Sequence, residues 1–214
     1  MKALLLDVGN TRLKWGVLED DQIHRTGHIA MRKVREEGLG VLTSRLPRSV
    51  DAVHVSNVAG ATFGTRLSGV IGMHCECDVH FAKPERASCG VQSGYRHPRR
   101  LGVDRWVAMI GAWAELESAC VVVDAGTAVT IDAIDNEGRH LGGQIFPGVR
   151  LMFEALAAST SDIPAVGRQL SATSGLDMFG DTTSRAVQNG AWNAVTGAVD
   201  RAITTLRSNA YEPA

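Results

Sequence analysis

The chain has 214 residues, 44% of them hydrophobic and 21% charged, with a formal net charge of −1 at pH 7. That balance excludes a disordered chain and supplies no global field for nucleic acid or an anionic membrane, so an anionic ligand must be held by a local site. No apolar stretch has the length of a membrane span or the pattern of a signal peptide, and four cysteines are too few for a disulfide framework; a cytoplasmic protein with reduced thiols is expected.

Residues 3–6 form an apolar run suited to a buried strand, and 12–18 alternates as its antiparallel neighbour across a turn at Gly9-Asn10-Thr11. A third strand is expected at 22–29, then a charged helical stretch at 30–46 closed by Pro47, a strand at 52–55, a helix at 61–72 and a strand at 77–81. Residues 74–80 (His-Cys-Glu-Cys-Asp-Val-His) hold zinc-type ligands, but Cys-x-Cys lacks the usual spacer. Strand alternation would instead turn Cys75, Cys77 and Val79 to one buried face.

Residues 84–100, rich in Gly, Ser, Pro and Arg, read as a loop with a solvated basic patch at His97, Arg99 and Arg100. Its exit runs into an apolar-periodic helix ending near 116, where Trp106 and Trp113 are packing residues. Strands at 119–123, 128–133 and 140–146, with a turn at 135–138, repeat the N-terminal triplet. Helices follow Pro147-Gly148, separated by a polar loop at 159–174, and the last, at 183–206, is expected to break at Gly190 and Gly197. The order gives an α/β protein of two similar halves, 1–100 and 101–214, with a cleft between them; it suits a duplication.

Two turns carry the chemistry: Asp7-Val8-Gly9-Asn10-Thr11 and Asp124-Ala125-Gly126-Thr127. A Gly turn after a buried strand brings backbone N–H groups against a phosphate, and a threonine adds a hydroxyl donor. The carboxylates repel phosphate and become useful when a cation lies between. Lys14 adds positive charge for a transferring phosphoryl group. One such turn alone reads as an ordinary hairpin connection; the second copy favours the phosphate reading. Neither the Gly-x-x-x-x-Gly-Lys-Thr loop nor the Gly-x-Gly-x-x-Gly turn is present.

The residues 7–15, Gly94-Tyr95, the run Leu101-Gly102-Val103-Asp104-Arg105-Trp106, residues 124–130 and Gly142-Gly143-Gln144-Ile145-Phe146-Pro147-Gly148 resemble, in order, the motifs of type III pantothenate kinases, the Bvg accessory factor family. The resemblance implies the acetate and sugar kinase/actin superfamily, with two ribonuclease-H-like halves. It implies ATP-dependent phosphorylation of pantothenate, the first step of coenzyme A synthesis, by a homodimer. Alternatives are a non-catalytic relative with a binding role, or another small-molecule kinase of the superfamily. No element resembles a DNA-reading helix-turn-helix.

By the same resemblance, Asp7, Val8, Gly9, Asn10, Thr11, Arg12, Leu13, Lys14 and Thr127 bind ATP, with Asp7 on the magnesium side. Asp124 takes a monovalent cation, potassium or ammonium. Tyr95, Gly102, Val103, Asp104, Arg105 and Thr183 contact pantothenate, and Asp104 is the catalytic base. A carboxylate at a helix start is favoured by the local N–H dipoles and can accept the substrate hydroxyl's proton, while a neighbouring guanidinium suits a carboxylate. Taken alone, Asp104-Arg105 also reads as a surface charge pair, and Tyr95 as a cap on the core. Family members continue past the last helix with a strand, a Gly-Gly turn and a closing helix. No counterpart of that segment is visible before Ala214, so the second half is expected to be one element short.

Overall fold

Leu4, Leu6 and Val8 are buried along β1 (Lys2–Val8), while Leu5 and Asp7 between them are only partly covered, as period-two alternation requires. A computed structural model describes residues 1–160, 178–209 and 211. The chain divides into two units: Met1–Arg86 with Arg96–Ala108, and Ala87–Tyr95 with Met109–Ala214.

In the first unit, β2 (Arg12–Glu19) and β3 (Gln22–Ala30) follow β1 as an antiparallel meander; β4 (Ala52–Asn57) and β5 (Val79–Phe81) add in parallel, giving the order β3-β2-β1-β4-β5. Parallel neighbours need crossovers, supplied by α1 (Met31–Glu37) with the 3-10 turn Leu39–Leu42, and by α2 (Ala61–Cys75). Val34, Leu42, Leu67 and Ile71 from these segments close on Leu4, Leu6, Val8, Val53 and Val55. Each such side chain, fully buried, contributes roughly 1.5–3 kcal/mol. Two backbone bonds tie the end of β1 into this core: Met31 N–H donates to Thr11 O at 2.9 Å, and Val58 N–H to Val8 O at 3.0 Å.

The second unit holds a hairpin, β6 (Ala87–Ser88) and β7 (Val91–Gln92), and an antiparallel sheet of β8 (Cys120–Ala125), β9 (Ala128–Ile134) and β10 (His140–Pro147). The helix α3 (Val103–Leu116), which belongs to the first unit as far as Ala108, precedes β8 in the chain; α4 (Val149–Ser159) and α5 (Thr183–Ser208) follow β10. Val195 of α5 packs with Val129 and Ile131 of β9. Trp113 lies against Gly90 and Gly138, where a β-carbon would meet its indole, so it packs the hairpin as expected. Each unit thus contains a three-strand antiparallel meander.

Four expectations are corrected. The charged stretch at 30–46 is a short helix and a 3-10 turn, because Gly38 takes φ +83° and breaks it. Cys75 does not lie on a strand with Cys77 and Val79: α2 runs on to Cys75, and the left-handed Glu76 ends it. The loop at 84–100 contains the β6–β7 hairpin and a 3-10 turn at Pro98–Arg100. Helix α5 is continuous through Gly190 and Gly197, whose surroundings are open. The polar loop expected at 159–174 lies almost wholly outside the described residues. Among those described, no helix is long and apolar enough to cross a membrane.

Candidate functional site

In the first unit the turn after β1 is closed by Gly9 N–H donating to Arg12 O at 3.0 Å, leaving Asn10, Thr11 and Arg12 exposed. Val8 and Leu13 are wholly buried, so of the expected ATP residues these two offer main chain and anchorage rather than side chains. Asp7 faces away from the core and pairs in register with Lys14, whose Nζ lies 3.4 Å from its carboxylate. On the other side Asp7 pairs with Ser56 of β4, and the Ser56 hydroxyl is buried with no hydrogen-bond partner among the described residues. Nothing in the sequence singled out Ser56; a serine closing an apolar strand is its only signal. Arg12, Lys14, Trp15, Thr26, Gly27 and His28 line a shallow pocket of about 390 Å³ on the β2–β3 surface.

Asp104 stands in the first turn of α3, half-buried, with its Oδ1 accepting the Arg105 N–H at 2.8 Å. Gly102 makes room for it: a β-carbon there would stand 2.5 Å from that same oxygen. Val103 is half-buried, and Arg105 is buried at 6% exposure rather than spread on the surface. The run 102–105 is therefore a fitted helix start, not a solvated charge pair.

In the second unit Asp124 and Thr127 are both exposed at the β8–β9 turn. Gly126 N–H donates to Ala128 O at 3.0 Å, which makes this turn one residue tighter than its counterpart at Gly9. The start of α4 seats directly on it. Gly148 N–H donates to Thr127 O at 2.9 Å, and a β-carbon on Gly148 would overlap Gly126 O and stand 2.8 Å from Thr127 O. This close approach explains the glycine that follows β10.

Tyr95 is half-buried, its N–H donating to Ser93 Oγ at 3.3 Å and its ring stacked on His140 at 5.8 Å between centroids. His140 is itself buried and bonds Asp132 at 2.8 Å. Sequence reasoning missed both residues, although an aspartate inside the apolar run of β9 was a visible irregularity. Thr183 is exposed at the start of α5, where Thr182 caps the helix by accepting the Arg185 N–H at 3.3 Å. Thr183 lines an apolar groove of about 470 Å³ with Met152, Leu156, Val187 and Ala191.

The profile of type III pantothenate kinase matches residues 3–205. A type III pantothenate kinase of Dechloromonas aromatica is 37% identical over 201 residues, covering 94% of this chain and 80% of the relative. That of Aromatoleum aromaticum is 38% identical over 200 residues, covering 92% and 78%. Among crystal structures, a Baf family protein from Campylobacter jejuni aligns with a TM-score of 0.60 at 22% identity over 92% of this chain and 78% of its own. At that identity the likeness bears on the fold, a mixed α/β architecture.

Proposed function

The chain belongs to the type III pantothenate kinase family, and we propose from that premise that it transfers the γ-phosphoryl group of ATP to the primary hydroxyl of pantothenate, opening coenzyme A biosynthesis. The observation that carries the reading is the family match across 3–205, which takes in both Asp-x-Gly turns and the 102–105 helix start.

In this reading Asp104 accepts the proton of the attacking hydroxyl. The carboxylate is suited to it: it sits at a helix start, it is half-buried, and Gly102 leaves room for it while the Arg105 N–H holds its Oδ1. Gly9 through Lys14 hold the ATP phosphates, with Lys14 offsetting charge on the transferring group, and Thr127 adds a nucleotide contact. Gly102, Val103, Arg105, Tyr95 and Thr183 hold pantothenate.

Kinases of this kind work on ATP complexed with a divalent cation. Asp7 fits magnesium in donor chemistry, since it puts a hard, solvent-accessible carboxylate at the end of β1 beside the phosphate turn. Asp124, an exposed carboxylate at a strand end, fits a monovalent cation in donor chemistry. When bound, the cations neutralise phosphate charge and align the transfer. A cytoplasmic homodimer belongs to the same reading.

The test is coupled ADP release with pantothenate, magnesium and potassium, comparing the native chain with Asp104→Asn. The native chain is expected to turn over only with pantothenate present, and the variant to lose about 10²–10⁴-fold in kcat with ATP binding retained. Native protein that binds ATP without pantothenate-dependent turnover would make it a non-catalytic relative. Equal rates for native and variant would remove Asp104 as the base.

A further inference from the structure

His140 and Asp132 form a buried pair for which the proposed mechanism has no use. Their side chains are 0% and 2% exposed, and His140 Nε2 lies 2.8 Å from Asp132 Oδ1. That contact occupies Nε2, and Nδ1 is left buried with no hydrogen-bond partner among the described residues. An orphaned buried ring nitrogen costs stability that an apolar pair of the same shape would not. A core built only for stability has no reason to keep it.

The ring is held at a defined angle and used on one face. Tyr95 stacks on His140 with 16° between the ring planes. The backbone beside the stack is locked as well. The bulge between His140 and Gly142, with Gly142 at φ +131°, re-aims the start of β10. Gly94 presses so closely on His140 O that a β-carbon there would overlap it. Gln92 N–H donates to Gly138 O at 2.9 Å, fastening the strand that leads into this loop.

Resting on the reading of Tyr95 as a pantothenate contact, we infer that Asp132 and His140 are positioning residues for substrate: the carboxylate fixes the imidazole plane, and the imidazole face sets the orientation of the Tyr95 ring. Tyr95 has no secondary structure of its own to hold it. The pair supplies that rigidity without touching substrate.

The experiment measures KM for pantothenate and for ATP, with kcat, in His140→Asn, Tyr95→Ala and the double variant. His140→Asn is expected to raise the pantothenate KM about tenfold, leaving the ATP KM and kcat within about twofold, because a misplaced contact weakens the substrate it holds. The double variant is expected to be no worse than Tyr95→Ala, since the histidine acts only through the tyrosine. An unchanged KM in His140→Asn, or losses that add in full, overturns the inference. If His140→Asn does not fold, Asp132→Leu with His140→Phe removes the charge and keeps a flat ring beneath Tyr95. It is expected to hold the pantothenate KM within about threefold of native, and a larger rise overturns the role given to the ring face. A native chain without pantothenate turnover would instead remove the proposed function, and the inference with it.

Discussion

Gly102 and Asp104 are fitted to one another: the space a β-carbon would take on Gly102 is bounded, at 2.5 Å, by Asp104 Oδ1. The contact is with the end of a short side chain and not with backbone. A methyl group at 102 is therefore expected to rotate the carboxylate rather than strain the fold. Gly102→Ala should lose about ten- to a hundredfold in kcat through misplacement of the base, with unfolding free energy changed by less than about 1 kcal/mol. Urea unfolding and steady-state rates on the same preparation check both halves.

Lys14 and Asp7 make an ion pair at 3.4 Å with side chains 60% and 46% exposed. Such a pair contributes about 0–1 kcal/mol to stability. Its value in the proposed reaction lies in the charge that Lys14 offers a phosphoryl group. Lys14→Met is thus expected to leave the melting temperature nearly unchanged while lowering kcat about a hundredfold. A large fall in melting temperature with kcat preserved would show the pair to be structural.

Gly148 presents the opposite case to Gly102. The atoms a β-carbon would strike are Gly126 O and Thr127 O, main-chain atoms of the turn itself. Gly148→Ala should cost about 1–3 kcal/mol as overpacking, and displacing Thr127 should raise the ATP KM more than that for pantothenate. Equal effects on both substrates would argue against a nucleotide role for this turn.

Asp135, 1% exposed, binds Arg139 Nε at 2.8 Å and the N–H groups of Glu137 and Arg139 at 2.9 Å each. Burial raises its pKa, but the Arg139 side-chain bond and the two backbone bonds outweigh it and hold the carboxyl below its ordinary value. A depressed folded pKa stabilises fully above the unfolded value of about 3.9 and is lost as pH falls through the folded value. The advantage of native protein over Asp135→Asn in urea unfolding should be constant from neutrality to about pH 5 and shrink below about pH 4. An advantage that grows on acidification would reverse the assignment.

Local chemistry made the two turns legible. Asp7, Gly9 and Thr11 announce a turn because glycine and a short polar residue interrupt an apolar strand, and Asp124, Gly126 and Thr127 repeat it. The first meander followed from an apolar run and its alternating neighbour, the second from repeating that pattern, and the residues at each turn were correctly placed at strand ends. The errors fell where local preference is weak. Gly190 and Gly197 each cost a helix only about 1 kcal/mol, which the packing of Val195 and Leu206 along 26 residues overrides.

Other features had no local signal at all. The two-residue strands β6 and β7 are too short for any periodicity, and they exist because Gln92 and Trp113 find partners at Gly138. Gly148 looks like any glycine after a proline until the Gly126–Thr127 turn is brought beneath it. Asp132 and His140 are eight residues apart across a bulged hairpin, and only the fold makes them a pair and sets Tyr95 against the ring. Strand ends and turns are written in neighbouring residues because backbone sterics act over a few bonds. Which side chain lies under which depends on burial and close approach between distant segments, and those exist only once the chain has packed.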